Sequence, residues 1–238
     1  MTATQPEQVL SVAVVDDDPG DAESLVRPLA DYGFEADAIS DLDPAQGVDE
    51  FLTELAGSYD ALICDHVLRG RTAVRFTGAE LVCKANRRPG RALPAVLVSS
   101  HVNTDQKAAI LRWREGIPRV VDKSEASEQL MSALDYTLAE LGGQIARERR
   151  SFPTPIEVLE VLPDVEEPVA KVVVVGWRIA SSVWMPVQPI TEATGLRPGE
   201  LPGRWLEADV NCHARNASDL YFQNIVIAPD PPDDWMSA

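Results

Sequence analysis

Five polar residues stand at the ends of apolar runs in the first half of the chain. They are Asp16 and Asp17 after SVAVV, Asp65 after YDALIC, Ser99 after PAVLV, and Lys123 after RVVD. An apolar run of about four to six residues that stops at a charged or hydroxylic residue is typical of a buried parallel strand whose carboxyl end opens into a site. The pattern therefore predicts that these five side chains converge on one pocket.

Three carboxylates at one point of a sheet repel each other unless a cation lies among them. Carboxylate oxygens without His or Cys ligands suit a hard cation, so the cluster predicts a Mg²⁺ site. A Ser hydroxyl and a Lys ammonium nearby would complete a place for a phosphoryl group. A single Asp is usually a solvated surface residue, but three at strand ends with a matched Lys favour a site.

Residues from about 9 to 141 resemble the receiver domain of two-component response regulators, in order and spacing as well as in residue type. The stretch VVDDDPGDAESLVRPLADYGFEADAIS resembles the first strand, first helix and second strand of a receiver. YDALICD, LPAVLVSS and EGIPRVVDKSE resemble its third, fourth and fifth strands. The resemblance implies a doubly wound, five-stranded parallel sheet of the flavodoxin-like kind.

The resemblance also implies roles for the polar residues. Asp65 would be the phosphoacceptor, taking a phosphoryl group from a histidine kinase, a phosphotransfer protein or a small phosphodonor to form an acyl phosphate. Lys123 would pair with one phosphoryl oxygen, and Ser99 would donate a hydrogen bond to another and move inward on phosphorylation. The implied Mg²⁺ ligands are Asp17 and Asp65 directly, Asp16 mostly through water, and the backbone carbonyl of Val67.

Two positions near the fifth strand depart from the family pattern. Ser124 follows Lys123 where receivers usually have a proline, so we expect a differently shaped turn. Val120 stands where receivers often have an aromatic side chain that rotates as the hydroxyl residue moves. Valine cannot rotate in that way, which places the usual signalling face of helix 4, strand 5 and helix 5 in doubt.

The segment after Asp65 departs further, because five residues are inserted in LRGRTAVRFTG. The glycine that receivers place about eight residues after the phosphoacceptor corresponds to Gly78, thirteen residues after Asp65. We expect a docking or gating role for this loop, and the alternative is an exposed loop whose arginines only aid solubility. Further candidates are His101 and His66, for access of hydrolytic water, and the loop arginines Arg69, Arg71 and Arg75.

Composition limits the classes of function. The net charge is −17, with 16 basic and 25 acidic residues up to Arg150 and 5 and 13 after it. Neither part has the basic surface that DNA binding requires. No long apolar run and no basic leader is present, and Cys64, Cys83 and Cys212 lie far apart, so we expect a cytoplasmic protein away from membranes.

The chain changes character after residue 141. The Gly and Pro content of 142–155 predicts a linker. Strand-like segments then predict a small β-rich module over 156–229, a barrel or a sandwich, followed by an acidic tail over 230–238. In this module we expect a tryptophan core of Trp177, Trp184 and Trp205, with a ligand or peptide groove as the alternative. Asp209, Cys212 and His213 are not expected to form a nucleophile group, because adjacent strand residues face opposite sides.

Three classes of function remain. The favoured one is a non-enzymatic response regulator in which phosphorylation of Asp65 changes the binding of the β-rich module to another protein or to a second copy of the chain. The second is a DNA-binding transcriptional regulator, disfavoured by the charge. The third is a regulator whose β-rich module senses a small ligand or carries catalysis. A constitutive receiver is a lesser possibility.

Overall fold

The chain divides into two units that do not follow the sequence continuously. The computed structural model describes residues 10–100, 107–162 and 167–229. Residues 10–100 and 116–145 form a parallel-sheet unit, and residues 107–115 together with the described residues from 146 onward form a β-rich unit. The predicted boundary lay at 141–142, so one short segment belongs with the second unit although it lies within the first in sequence.

The parallel-sheet unit is built on five strands in the order β2-β1-β3-β4-β5, and all neighbouring pairs are parallel. This is a doubly wound order, so the predicted fold class is confirmed. Every residue of β3 and β4 is buried, which explains their continuous apolar sequences. The strands are β1 Ser11–Val15, β2 Glu35–Ile39, β3 Ala61–Asp65, β4 Ala95–Ser99 and β5 Val120–Asp122.

Helices alternate with these strands. The side chain of Asp18 caps the first helix by accepting hydrogen bonds from the N–H groups of Gly20 and Asp21. Leu25 and Leu29 of that helix are buried in the core beneath it. The helices of this unit are α1 Pro19–Asp31, α2 Val48–Ser58 and α3 Gly78–Asn86, followed after β5 by α5 Ala126–Leu141. A 3-10 turn, Lys123–Glu125, joins β5 to α5.

The β-rich unit is an antiparallel sheet with the order β10-β9-β6-β7-β8. Burial alternates along β7 and β9, so one face of the sheet forms a core and the other faces solvent. In the described residues this is one sheet with a helix, α6, packed near β10, and not a pair of stacked sheets. The elements are β6 Phe152–Leu162, β7 Val169–Val174, β8 Ser182–Pro186, α6 Val187–Thr194, β9 Trp205–Val210 and β10 Phe222–Ile227.

The predicted linker, 142–155, is more ordered than its composition indicated. It contains a 3-10 turn at Arg147–Arg149, and β6 already begins at Phe152. Pro153 and Pro155 lie in β6 opposite β9, where they face Asp209 and Glu207. The carbonyl of Pro155 accepts from the N–H of Val175, so the backbone nitrogen of Pro155 lies on the β7 side of the strand, where pairing with β7 starts only at Ile156.

The segment 107–115 is the other departure from the predicted domain limits. It contains helix α4, Lys107–Trp113, and the start of a 3-10 turn, Arg114–Gly116. Helix α4 contacts β8. The guanidinium of Arg114 is buried in the β-rich unit, where it pairs with Asp219 and donates to the carbonyl of Ser218. A buried charge with its partner in this unit fixes the segment there.

No described helix is both long enough and apolar enough to cross a membrane. The acidic tail, 230–238, and His101 lie outside the described residues.

Candidate functional site

Three carboxylates meet at the carboxyl edge of the parallel sheet, as the sequence pattern predicts. Asp16 and Asp17 follow β1, and Asp65 is the last residue of β3. Asp16, Asp17 and Asp65 are 1%, 9% and 5% exposed, and each offers an oxygen within 4.8 Å of the oxygens of the other two. Parallel strands β1 and β3 are direct neighbours, so their carboxyl ends bring these groups together.

Lys123 supplies a positive charge to this cluster. Its Nζ lies 2.8 Å from Oδ2 of Asp16, 3.0 Å from Oδ1 of Asp65 and 2.9 Å from Oδ2 of Asp21. The lysine follows β5, two strands away from Asp65, and its long side chain spans that distance. It is thereby a bridge between the two carboxylates that end β1 and β3.

Burial and neighbouring charges shift the pKa of each of these groups in opposite directions. Desolvation raises the pKa of Asp16 and of Asp65, although the contact with Lys123 lowers both. Burial lowers the pKa of Lys123, but hydrogen bonds to Asp16 and Asp21 and the charge of Asp65 outweigh it, so that the net pKa is raised. Lys123 therefore remains an ammonium at neutral pH.

Backbone N–H groups hold one oxygen of each carboxylate. The N–H of Asp18 donates to Oδ1 of Asp16 at 2.9 Å, and that of Val67 donates to Oδ2 of Asp65 at 2.6 Å. Oδ2 of Asp17 accepts from the N–H of Arg71 at 2.6 Å. These bonds orient the three side chains. The predicted role of the Val67 carbonyl as a metal ligand remains a prediction.

Ser99 ends β4 at the same edge and is completely buried. It is paired with Asp122 of β5, and the preceding Val98 is paired with Asp65 of β3. The hydroxyl residue therefore stands on the strand between the one that ends in Asp65 and the one that leads to Lys123. Val120 begins β5 and is half-buried.

The residues present fit a divalent cation. Three carboxylates, those of Asp16, Asp21 and Asp65, share the ammonium of Lys123, and the Asp17 carboxylate lies beside them, which leaves a local excess of negative charge. The three buried carboxylates provide a hard oxygen donor set that suits Mg²⁺. A cation among them would offset the desolvation that raises the pKa of Asp16 and Asp65.

Two glycines make room for this arrangement. A Cβ on Gly78 would lie 1.7 Å from the backbone oxygen of Asp65, which no side chain tolerates, so α3 can begin beside the strand end only with glycine there. A Cβ on Gly70 would lie 2.8 Å from Oδ2 of Asp17. Gly78 is the glycine that the resemblance to receivers assigned to this position despite the inserted residues.

Two contacts at the site were not foreseen from the sequence. Asp21 reaches Lys123 from the first turn of α1, and its place four residues after Asp17 was the available signal. The approach of Gly70 and Arg71 to Asp17 had no sequence signal beyond the unusual length of the loop. His66 is buried directly after Asp65, and its predicted influence on water access remains a prediction.

In the part of the β-rich unit that the structure describes, Asp209, Cys212 and His213 do not form a nucleophile group. Cys212 is buried, and burial raises its thiol pKa to about 11, whereas His213 is exposed and lies against the ring of Phe152. Trp177 packs against the core and donates its indole N–H to the carbonyl of Ala214.

The expected core position of the other two tryptophans is wrong. Trp184 is 39% exposed and Trp205 is 46% exposed. Both occupy alternate positions of β8 and β9 that face away from the core, as their burial patterns show.

Comparisons with known proteins give similarity of fold only. No family model and no curated protein matches the chain. The receiver domain of a modulated diguanylate cyclase from Desulfovibrio desulfuricans is 16% identical, with a TM-score of 0.45 over 58% of this chain and 100% of its own. Receiver domains from Clostridium thermocellum and Methanospirillum hungatei are 18% and 19% identical, with TM-scores of 0.43 and 0.42, each over 58% of this chain and 100% of its own.

Proposed function

We propose that this protein is a response regulator that is phosphorylated on Asp65 with Mg²⁺ and signals through its β-rich unit by binding another protein. The observation that carries the proposal is the bridge that Lys123 makes between Asp16 and Asp65 beside a third buried carboxylate, Asp17. A structural ion pair needs one carboxylate, whereas a phosphoryl site needs a nucleophile, a cation site and a fixed ammonium together.

In the proposed reaction, an oxygen of Asp65 attacks the phosphorus of a phosphohistidine, of a phosphotransfer protein or of acetyl phosphate. A P–O bond to the carboxylate forms while the bond to the leaving histidine nitrogen or acetate oxygen breaks, and the leaving group keeps the electron pair. Mg²⁺, when bound, neutralises the negative charge of the incoming phosphoryl group. Hydrolysis of the acyl phosphate by water returns the carboxylate and releases orthophosphate.

The other residues of the site have separate tasks in this reaction. Lys123 would exchange its contact with Oδ1 of Asp65 for a phosphoryl oxygen, and it would keep Asp16 and Asp21 as its counter-charges. The N–H of Val67 holds Oδ2 of Asp65, so Oδ1 is the oxygen that we assign as the nucleophile. Ser99, at the end of β4, would donate a hydrogen bond from its hydroxyl to a phosphoryl oxygen.

The path of the chain supports a signal that reaches the β-rich unit. Helix α4 begins eight residues after Ser99, and the segment of the β-rich unit that contains it ends at Glu115, eight residues before Lys123. A movement of either end would act through the chain on a helix that contacts β8. This route needs no aromatic side chain at Val120.

The outer face of the β-rich sheet supports a protein as the partner. Trp205 is the cross-strand neighbour of Glu157, and Trp184 is the neighbour of Lys171, which is paired with Glu160 at 3.0 Å. Exposed tryptophans are typical of protein interfaces, and an acidic surface disfavours nucleic acid. The arrangement fits a protein surface that carries apolar and basic side chains.

The proposal is tested by incubating the full chain with Mg²⁺ and acetyl phosphate and measuring its intact mass. Asp65→Asn removes the nucleophile, and Asp31→Asn, at the exposed end of α1, is the matched control. We expect wild type and the control to gain one phosphoryl group, and Asp65→Asn or a chelator to prevent it. Beryllofluoride, which mimics the acyl phosphate, would then change the elution of wild type on size exclusion if the active form dimerises.

Other outcomes contradict the proposal in identifiable ways. An equal mass gain in Asp65→Asn would place the phosphoryl group elsewhere, and no adduct with any donor would exclude the phosphoacceptor role. DNA binding above background at moderate salt would favour the transcriptional alternative. A strong thermal shift with one small molecule would favour a ligand-sensing or enzymatic output.

A further inference from the structure

The loop between β3 and α3, residues 66–77, has a defined structure although it is longer than in receivers. Leu68, Val74 and Phe76 are buried, and the ring of Phe76 stacks on that of Phe51 with centroids 6.0 Å apart. Within the loop the guanidinium of Arg69 donates to the carbonyl of Arg75 at 3.0 Å. Three buried apolar anchors hold the segment between them in place, so it is not merely a solvated insertion.

The middle of this loop contacts the acidic cluster. The backbone N–H of Arg71 donates to Oδ2 of Asp17 at 2.6 Å, and its guanidinium pairs with Oδ2 of Asp18 at 2.5 Å. The side chain of Arg71 is mostly exposed, whereas the oxygen that its N–H contacts belongs to a buried carboxylate. The backbone bond therefore reaches into the site and the ion pair lies at its rim.

Gly70 is required by space and not by backbone conformation. The φ of Gly70 is not in the left-handed region, so a residue with a side chain could adopt the same backbone conformation. A Cβ at this position would nevertheless lie 2.8 Å from Oδ2 of Asp17, with the rest of the same carboxylate next nearest. The glycine thus makes room for one side chain, that of Asp17.

We infer that Gly70 and Arg71 are positioning residues for Asp17, which they hold ready for a divalent cation. The N–H of Arg71 donates to Oδ2, and the space beside Gly70 admits the carboxylate in the position from which it offers an oxygen to the cluster. Outer contacts of this kind orient metal ligands and commonly change metal affinity by about 10- to 100-fold. The inference rests on the proposed function, since it assigns the cation of that site.

The substitution Gly70→Ala tests the inference because the atom that must move is the end of a flexible side chain. The added methyl would displace the Asp17 carboxylate and leave the fold intact. Gly57→Ala in α2 is the matched control, since a Cβ there meets nothing within 4 Å.

Titration with Mn²⁺ measures cation affinity without phosphorylation. The readout is the loss of the EPR signal of free Mn²⁺ as the ion binds. We expect Gly70→Ala to raise the Kd by about tenfold, and Gly57→Ala to leave it within about threefold of wild type. At saturating Mg²⁺ the rate of adduct formation from acetyl phosphate should return to within about twofold of wild type in Gly70→Ala. If the Mg²⁺ concentration that gives half of the maximal rate of adduct formation rises and the maximal rate itself does not change, Gly70 acts by positioning the metal ligand.

The failures of the two proposals are distinguishable. If wild type binds Mn²⁺ and Gly70→Ala binds it equally well, the positioning role is overturned and the proposed function stands. A Gly70→Ala defect that saturating Mg²⁺ does not repair, accompanied by a lower Tm, identifies a structural role and also overturns the inference. If wild type itself binds no divalent cation, the proposed metal site is overturned, and this inference with it.

Discussion

Arg114 and Asp219 form an ion pair in the β-rich unit, with 3.1 Å between the guanidinium and a carboxylate oxygen. The arginine belongs in sequence to the segment between β4 and β5, yet its side chain is only 3% exposed in this unit. Arg149 reinforces the attachment, because it donates to the carbonyls of Arg114 and Glu115 and packs over the ring of Tyr221. The segment 107–115 is therefore an integral part of the β-rich unit.

We expect Arg114→Ala to destabilise the β-rich unit by about 3 kcal/mol, because it removes a buried side chain and leaves its acceptors without their donor. Asp219→Asn should cost less, about 1 kcal/mol, since the carboxylate is partly exposed and its amide replacement still accepts. Urea unfolding followed by the fluorescence of the tryptophans measures both. Arg215→Ala, at an exposed position, is the control. An equal decrease in unfolding free energy in this control would show that the pair of Arg114 and Asp219 does not specifically stabilise the unit.

Beryllofluoride with Mg²⁺ should change amide hydrogen exchange in residues 107–115 and in β8 of wild type. The physical reason is that α4 contacts β8 while the chain on either side of it leads to Ser99 and Lys123. Mass-spectrometric exchange on the full chain makes the comparison, with Asp65→Asn as control. Altered exchange at Ser99 but not in these peptides would mean that the signal takes another route.

Asp65→Asn should raise the Tm in the presence of a chelator. The substitution removes a buried charge whose desolvation raises the pKa of the carboxyl, and it relieves repulsion from Asp16. We expect an increase of a few degrees, on the order of 1 kcal/mol in unfolding free energy. Millimolar Mg²⁺ should stabilise wild type and have less effect on Asp65→Asn. Equal stabilisation by Mg²⁺ in both would remove Asp65 from the cation site.

Lys123→Met should slow formation of the phosphoryl adduct by about 100-fold, which is typical when one charge-stabilising donor is lost. The methionine fills a similar volume but leaves Asp16, Asp21 and Asp65 without their shared ammonium. Lys123→Arg keeps the charge and is expected to recover part of the rate. The measurement is a time course of intact mass at saturating Mg²⁺. A Lys123→Met rate close to that of wild type would contradict the role assigned to the ammonium.

Cys212 should resist alkylation by iodoacetamide in the folded protein at pH 8. Only the thiolate reacts, and burial raises the pKa of this thiol to about 11, so the reactive fraction at pH 8 is on the order of one in a thousand. Burial also raises the pKa of Cys64. Reaction should increase as the pH rises toward 11 and become complete in urea. Rapid labelling of Cys212 at pH 8 without denaturant would contradict this prediction and would favour a reactive thiol in the β-rich unit.

The amino-acid sequence was sufficient to predict the parallel sheet and the polar residues at its carboxyl edge. Apolar runs that end at Asp16, Asp65 and Ser99 are buried strands, and parallel strands place their carboxyl ends along one edge, so local pattern determined which residues meet. The alternation after residue 156 was likewise enough to predict a β-rich second part.

Tertiary structure alone decided the remaining relationships. The bond from the N–H of Arg71 to Asp17 joins residues 54 positions apart, and the pair of Arg114 and Asp219 joins residues 105 positions apart. Such contacts depend on how loops and helices pack, and neither residue type nor local periodicity encodes them. Trp184 and Trp205 face solvent for the same reason, because strand register selects the face on which a side chain stands. The amino-acid sequence thus determined which chemistry is available at the sheet edge, and packing decided which neighbours orient it and to which unit α4 belongs.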